Sequence, residues 1–191
     1  MSQWMDEDSE ENLERILLMG LAEAGKTTIC SQIFEGQKLG EITKYDPTLN
    51  YNRFYYSGYP EKKIEVIDTG GQAPFFNIFF ERNEEFIFSN IKILIWIVDC
   101  VNYLDDKNKE LFEKAINSLR KYSPNSEIYC FFHKTDLIDQ GSKTSYIENL
   151  KTDFDFGGEF KIIFFATSIF DNSLPIIHEK LNIKKLLRNE I

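Results

Sequence analysis

The sequence predicts an α/β protein: an open sheet of about six strands, mostly parallel with one antiparallel pair, and helices on both faces. Three observations predict it. Short apolar runs alternate with longer amphipathic stretches along the 191 residues. Residues 91–98 (IKILIWIV) are almost continuously apolar, as in a central parallel strand buried on both sides. The first strand-like run passes through a glycine-bounded loop directly into a helical stretch, and ligands of such sheets bind where strands end in this way.

Taken in order, Arg15–Met19 (RILLM) reads as the first strand and residues 26–35 as the helix after it. Residues 51–57 and 62–67 read as the antiparallel pair, joined by a turn that holds Gly58 and Pro60. The runs at 127–132 and 161–165 repeat the character of 91–98 and supply the last two strands. Helical stretches lie near 107–122 and 143–153, and a last helix is expected over 174–188. No repeat or Pro/Ser-rich linker interrupts 13–191, which reads as one domain. Residues 1–12 contain Asp6, Glu7, Asp8, Glu10 and Glu11 with no basic residue, and are expected to form an acidic, disordered tail.

Net charge is −9, which argues against a nucleic-acid partner, since phosphate backbones need clustered Lys and Arg. Cys30, Cys100 and Cys130 are scattered without metal-ligand spacing and suit a reducing compartment. No apolar run reaches the ~18 residues of a membrane span. Ser2 excludes N-myristoylation, the last residues Asn189, Glu190 and Ile191 form no prenylation box, and the acidic start lacks a signal peptide's basic region. A cytoplasmic protein without a membrane anchor of its own is expected, recruited to membranes only through partners.

Four motifs carry the chemistry. The first is Gly20-Leu21-Ala22-Glu23-Ala24-Gly25-Lys26-Thr27, a full match to G-x-x-x-x-G-K-[ST] between a strand and a helix. Its glycines let successive backbone N–H groups converge on phosphate oxygens, and the helix directs its positive end at the same anion. Glu23, Ala24, Gly25, Lys26, Thr27 and Thr28 are the expected phosphate contacts, with the Thr27 hydroxyl on Mg²⁺. Glu23 adds a negative charge and is tolerable there if it points outward.

The second motif chooses the base. His133-Lys134-Thr135-Asp136 directly follows a strand and is similar to the N-K-x-D element of GTPases, with His in the first place. An Asp136 carboxylate accepts two hydrogen bonds from guanine's edge at once, and adenine offers no such pair. The stem of Lys134 can lie along the base. His133 either holds the phosphate loop by a hydrogen bond or simply packs. After the last strand, Thr167-Ser168-Ile169 loosely resembles S-A-K, so backbone N–H groups at Ser168 and Ile169 are expected at the guanine carbonyl.

The third and fourth motifs form the switch. Tyr45-Asp46-Pro47-Thr48 matches the Ras effector-loop tetrapeptide, which implies that Tyr45 and Thr48 contact the nucleotide and that Thr48 ligates Mg²⁺. Asp68-Thr69-Gly70-Gly71-Gln72 matches D-x-x-G-Q, which assigns Asp68 to Mg²⁺, the Gly71 N–H to the γ-phosphate and Gln72 to the attacking water. Gln72, Lys26 and Thr48 are therefore the candidate catalytic residues. Lys44, Tyr45 and Asp46 include no arginine, so an internal arginine finger is not evident and hydrolysis is expected to be slow until a partner accelerates it.

Phe86–Asp99, Ser123–Leu137 and Thr167–Leu174 resemble the corresponding stretches of Rag/Gtr GTPases, His133 included, and the similarity covers roughly 15–188. The resemblance implies a Ras-like P-loop G domain that binds GTP/GDP with Mg²⁺ and acts as a switch for an activator, an exchange factor and effectors. Rag proteins continue into a roadblock domain and this sequence stops at Ile191, so obligate pairing with a second Rag does not follow from the resemblance; roadblock- or longin-type proteins or a second Rag-like GTPase are candidate partners. Two rivals stay open: a GTP-binding scaffold with negligible turnover, and a P-loop ATPase or small-molecule kinase. Phe75, Phe76, Phe79, Phe80, Phe86 and Phe88 follow the switch glycines and read either as core or as a partner surface.

Overall fold

Alternate residues of the central strands face opposite sides, and nearly all of them are apolar, so the sheet is covered on both faces. The computed structural model describes residues 13–37, 48–59, 62–102, 106–156, 161–171 and 173–181. The acidic segment 1–12, Lys44 to Pro47 with Tyr45 among them, Pro60 and the continuation of the last helix to 188 lie outside the described residues. The elements are β1 (Arg15–Met19), α1 (Lys26–Phe34), β2 (Tyr51–Tyr59), β3 (Lys62–Thr69), α2 (Ala73–Asn77), α3 (Glu84–Phe88), β4 (Ile91–Asp99), α4 (Asp106–Tyr122), β5 (Glu127–His133), α5 (Lys143–Phe154), β6 (Ile162–Ala166) and α6 (Ser173–Lys180).

The six strands run in the order β2-β3-β1-β4-β5-β6. Among the described residues only the β2–β3 pair is antiparallel. The chain returns past β1 to add β4 on its other side, which makes the carboxyl end of β1 the point where the strand order reverses. Leu94, Trp96 and Val98 pack under α4 and α5 with Leu111, Phe112, Leu150 and Phe154. Ile93, Ile95 and Ile97 face α1 and α6 with Ile29, Ile33, Leu174 and Ile177. A one-residue slip of β4 would only exchange two apolar sets, so neighbouring strands and the buried Trp96 Nε1 to Asn108 Oδ1 bond (2.9 Å) hold its register. Among the described residues no helix is long and apolar enough to cross a membrane.

The strand predictions are correct to within a few residues at their ends; β2 and β3 each run two residues further than their pattern suggests. The stretch after the switch glycines is not one helix. Pro74 opens α2, a π turn follows over Ile78–Arg82 closed by Asn83 N–H to Ile78 O (2.9 Å), and α3 then restarts. Phe76, Phe79 and Phe88 are buried, with the Phe76 and Phe80 rings stacked at 6.2 Å. Phe86 remains 41% exposed. The aromatic run is thus mostly core.

One buried charge cluster braces this region. Glu65 of β3 is fully buried between Arg15 of β1 (Nε to Oε2, 2.6 Å) and Arg53 of β2. Arg15 also donates to the Phe86 and Ser89 carbonyls (2.9 and 3.3 Å) and lies over the Phe86 ring. A buried ion pair is tolerable only when its remaining polar atoms find partners, and here the α3 carbonyls supply them.

Candidate nucleotide site

The loop between β1 and α1 turns through three residues with positive φ, Gly20 (145°), Glu23 (64°) and Gly25 (92°). Glu23 is exposed and directs its charge to solvent. Gly25 caps α1, and a Cβ there would stand 2.8 Å from His133 Cδ2 and 3.0 Å from its Nε2. The His133 ring therefore seats directly under the loop, and only glycine leaves it room. Lys26 is buried and its Nζ donates to the Gly20 and Leu21 carbonyls (2.9 and 2.7 Å). Burial lowers this ammonium to about 8, against the pull of Asp68. A buried cation resting on carbonyls at a helix N-terminus is a group in need of an anion.

Thr27 at the start of α1, Thr48 before β2 and Asp68 near the end of β3 meet beside Lys26. Thr27 Oγ1 donates to Asp68 Oδ2 (2.7 Å), Thr48 Oγ1 stands 3.4 Å from the same oxygen, and the two hydroxyls lie 3.2 Å apart. Asp68 Oδ1 is buried with no hydrogen-bond partner. Burial raises the Asp68 carboxyl, although both hydroxyls and Lys26 act against it. Three converging oxygens, one of them on a desolvated carboxylate, suit a small hard cation such as Mg²⁺. Gly70 N–H donates to Asn50 O (2.6 Å), and so ties the segment after Thr48 to the switch glycines.

Gly71 lies against the phosphate loop: its carbonyl accepts from Ala22 N–H (2.9 Å), and a Cβ would collide with the Ala22 nitrogen and Lys26 Nζ. In this arrangement the Gly71 carbonyl faces the loop. Gln72 follows as the cap of α2, with its side chain exposed.

The residues expected at the base lie after the ends of β5 and β6. Asp136 sits in a short 3-10 turn (Thr135–Leu137), exposed, and its Oδ1 accepts from Ser168 Oγ at 2.5 Å. Ser168 N–H is bonded to Ser173 Oγ (3.0 Å) and Phe170 N–H to Ser168 Oγ (3.0 Å), so of the two predicted backbone donors the one at Ser168 is engaged within the chain. Thr28 and Ala24 lie beside Lys26, partly buried and buried. Tyr45 lies outside the described residues.

The Gtr1/RagA G protein conserved region matches residues 15–181. The chain belongs to the Gtr1/RagA family. It is 30% identical over 171 residues to the GTP-binding protein GTR1 of Saccharomyces cerevisiae, covering 87% of this chain and 55% of that protein. It is 25% identical to the Ras-related GTP-binding protein A of Dictyostelium discoideum, covering 84% and 54%. With the Ras-related GTP-binding protein D of Mus musculus it shares 29% identity over 88% of this chain and 38% of the relative. The chain thus spans about half the length, or less, of these curated Gtr1/RagA relatives.

Sequence reasoning missed three residues of this Gtr1/RagA domain. Thr167 accepts or donates at His133 Nδ1 (2.9 Å) and, through its backbone, bonds Thr135 N–H (3.1 Å) and Phe132 O (2.8 Å). Asp99 receives Lys134 Nζ. Glu65 braces the strands behind the switches. The Thr167–His133, Asp99–Lys134 and Glu65–Arg15 pairs are each more than thirty residues apart in sequence, and no local pattern marks them.

His133 is buried at 2% exposure, and burial with Lys134 lowers it to about 4, against Asp136, Asp99 and Asp171. The unfolded imidazole titrates near about 6.5, so between these values the unfolded chain binds the extra proton. The contribution is therefore whole above about pH 6.5 and is lost as pH falls toward about 4, at most about 3 kcal/mol. Urea midpoints at pH 7.0 and 5.0 are expected to separate more for the wild type than for His133→Asn. Equal separations would show that the His133 imidazole titrates alike in the folded and the unfolded chain.

Proposed function

We propose that this chain is the nucleotide-binding domain of a Rag-like small GTPase, a GTP/GDP switch that hydrolyses GTP slowly with Mg²⁺ and is accelerated by a partner. The observation that carries the reading is the meeting of Thr27, Thr48 and Asp68 beside Lys26, from three separate elements. The names of the relatives, GTP-binding and Ras-related, support the choice of nucleotide. Thr27, Thr48 and Asp68 would hold Mg²⁺, whose charge offsets that on the β- and γ-phosphate oxygens.

Lys26 and the loop N–H groups of residues 23–28 bind the phosphates, Asp136 reads guanine, and Ser168 orients its carboxylate. The base packs on the Lys134 stem, and Ile169 N–H meets the guanine oxygen. Phosphate oxygens replace the internal acceptors now used by Lys26 and by Ala22 N–H, which releases Gly71 from the loop. The nucleotide state is thereby transmitted into α2 and the π turn, where regulators and effectors would dock. Tyr45 is proposed to cover the nucleotide from the effector loop. A roadblock- or longin-type protein, or a second Rag-like GTPase, is the proposed stable partner.

Gln72, at the mouth of this site, orients the attacking water. Single-turnover GTP hydrolysis with Mg²⁺ is expected at about 10⁻⁴ to 10⁻² s⁻¹, the range of unassisted switches, and roughly ten-fold slower in Gln72→Leu. Equal rates would remove Gln72 from the mechanism. Tight GTP binding with no turnover in the wild type would instead favour a scaffold.

A further inference from the structure

Lys134 is held at both ends. Its backbone lies in the left-handed region (φ 64°, ψ 34°), which is unusual for a side chain of this size. Its Nζ donates to Asp99 Oδ2 at 2.7 Å. Asp99 in turn is fixed: Oδ1 accepts from Val101 N–H (2.8 Å) and Asn102 N–H (3.2 Å), and Oδ2 also accepts from Asn102 Nδ2 (3.2 Å). The two strand ends are level, with Asp99 paired to His133 across the sheet and Cys100 N–H bonded to His133 O (3.0 Å). Burial alone would raise the Asp99 carboxyl, yet the bonds from Lys134, Val101 and Asn102 hold it below its usual value.

A free lysine stem sweeps many rotamers, and ordering it on a base costs conformational entropy. Here the turn after β4 fixes Asp99, Asp99 fixes the ammonium, and the stem between ammonium and backbone becomes a preset wall. This chain of contacts rests on the guanine-site reading of Lys134 and Asp136. On that footing we propose that Asp99 is a positioning residue for the base: it pins Lys134 so that the stem is ready to stack before the nucleotide arrives. The Asp99 side chain is 8% exposed and Lys134 30%, so the pair is sheltered enough to matter while the stem stays open to a ligand.

The experiment measures release of a fluorescent GDP from the whole chain for the wild type, Asp99→Asn, Lys134→Met and the double variant. Asp99→Asn keeps an acceptor for the Val101 and Asn102 amides, so the turn is retained. Lys134→Met keeps the apolar stem and removes only the pinned ammonium. Each single change is expected to speed release about ten-fold, and the double variant no more than either, because both break the same link. Multiplying effects in the double variant would overturn the proposal. So would wild-type release from Lys134→Met, which also decides the matter should Asp99→Asn fail to fold. A wild-type chain that binds no guanine nucleotide would overturn the guanine-site reading itself, and the proposal with it.

Discussion

Asp136→Asn is expected to lower guanine-nucleotide affinity by about two to three orders of magnitude and to create a preference for xanthine nucleotides. The reason lies in how the carboxylate is held. Ser168 Oγ donates to Oδ1 at 2.5 Å, so an asparagine would keep its carbonyl toward Ser168 and turn its amide NH₂ toward the base. Guanine presents donors there, and donor would face donor, whereas xanthine presents a carbonyl. Losing two bonds to a charged acceptor and leaving donors opposed costs about 3–4 kcal/mol, which outweighs any gain from neutralising an exposed carboxylate. Competition of GDP and XDP for the variant measures it. Unchanged GDP affinity would sink the assignment of Asp136, and with it the choice of GTP over ATP.

Lys26→Met is expected to reduce nucleotide affinity at least about a hundred-fold while leaving the nucleotide-free fold almost as stable as before. Two terms oppose each other in the free protein. The change removes a buried cation whose ammonium is held down to about 8, a relief of up to about 3 kcal/mol. It also strips the Gly20 and Leu21 carbonyls of their donor, at about 1–3 kcal/mol together. The near cancellation appears in urea unfolding without nucleotide, and the difference appears only when phosphate is present. An equal loss of stability in both conditions would mean that Lys26 serves the fold and not the ligand.

Much of the site was legible from spacing alone. Gly20 to Thr27, Asp68 to Gln72 and His133 to Asp136 are local strings whose chemistry follows from their order after a strand, and the strands from their apolar runs. The Phe-rich stretch was legible only as an ambiguity. Helical spacing placed Phe76 over Phe80, but the π turn decided that Phe79 and Phe88 enter the core while Phe86 stays beside Arg15 and Arg53. A single extra residue per turn rotates everything after it, and no residue type announces that insertion.

The sequence by itself determined an α/β sheet, a glycine-bounded loop after its first strand and, at its carboxyl edge, the strings proposed to read a nucleotide. Those features are written in short-range patterns of apolar side chains and glycines. Only the tertiary structure decided which partners hold these residues still: Asp99 on Lys134, Thr167 on His133 and Ser168 on Asp136. Such pairs join the ends of different strands, and which strand ends become neighbours is set by the order β2-β3-β1-β4-β5-β6. That order comes from packing both faces of the sheet at once, a property of the whole chain and of no single segment.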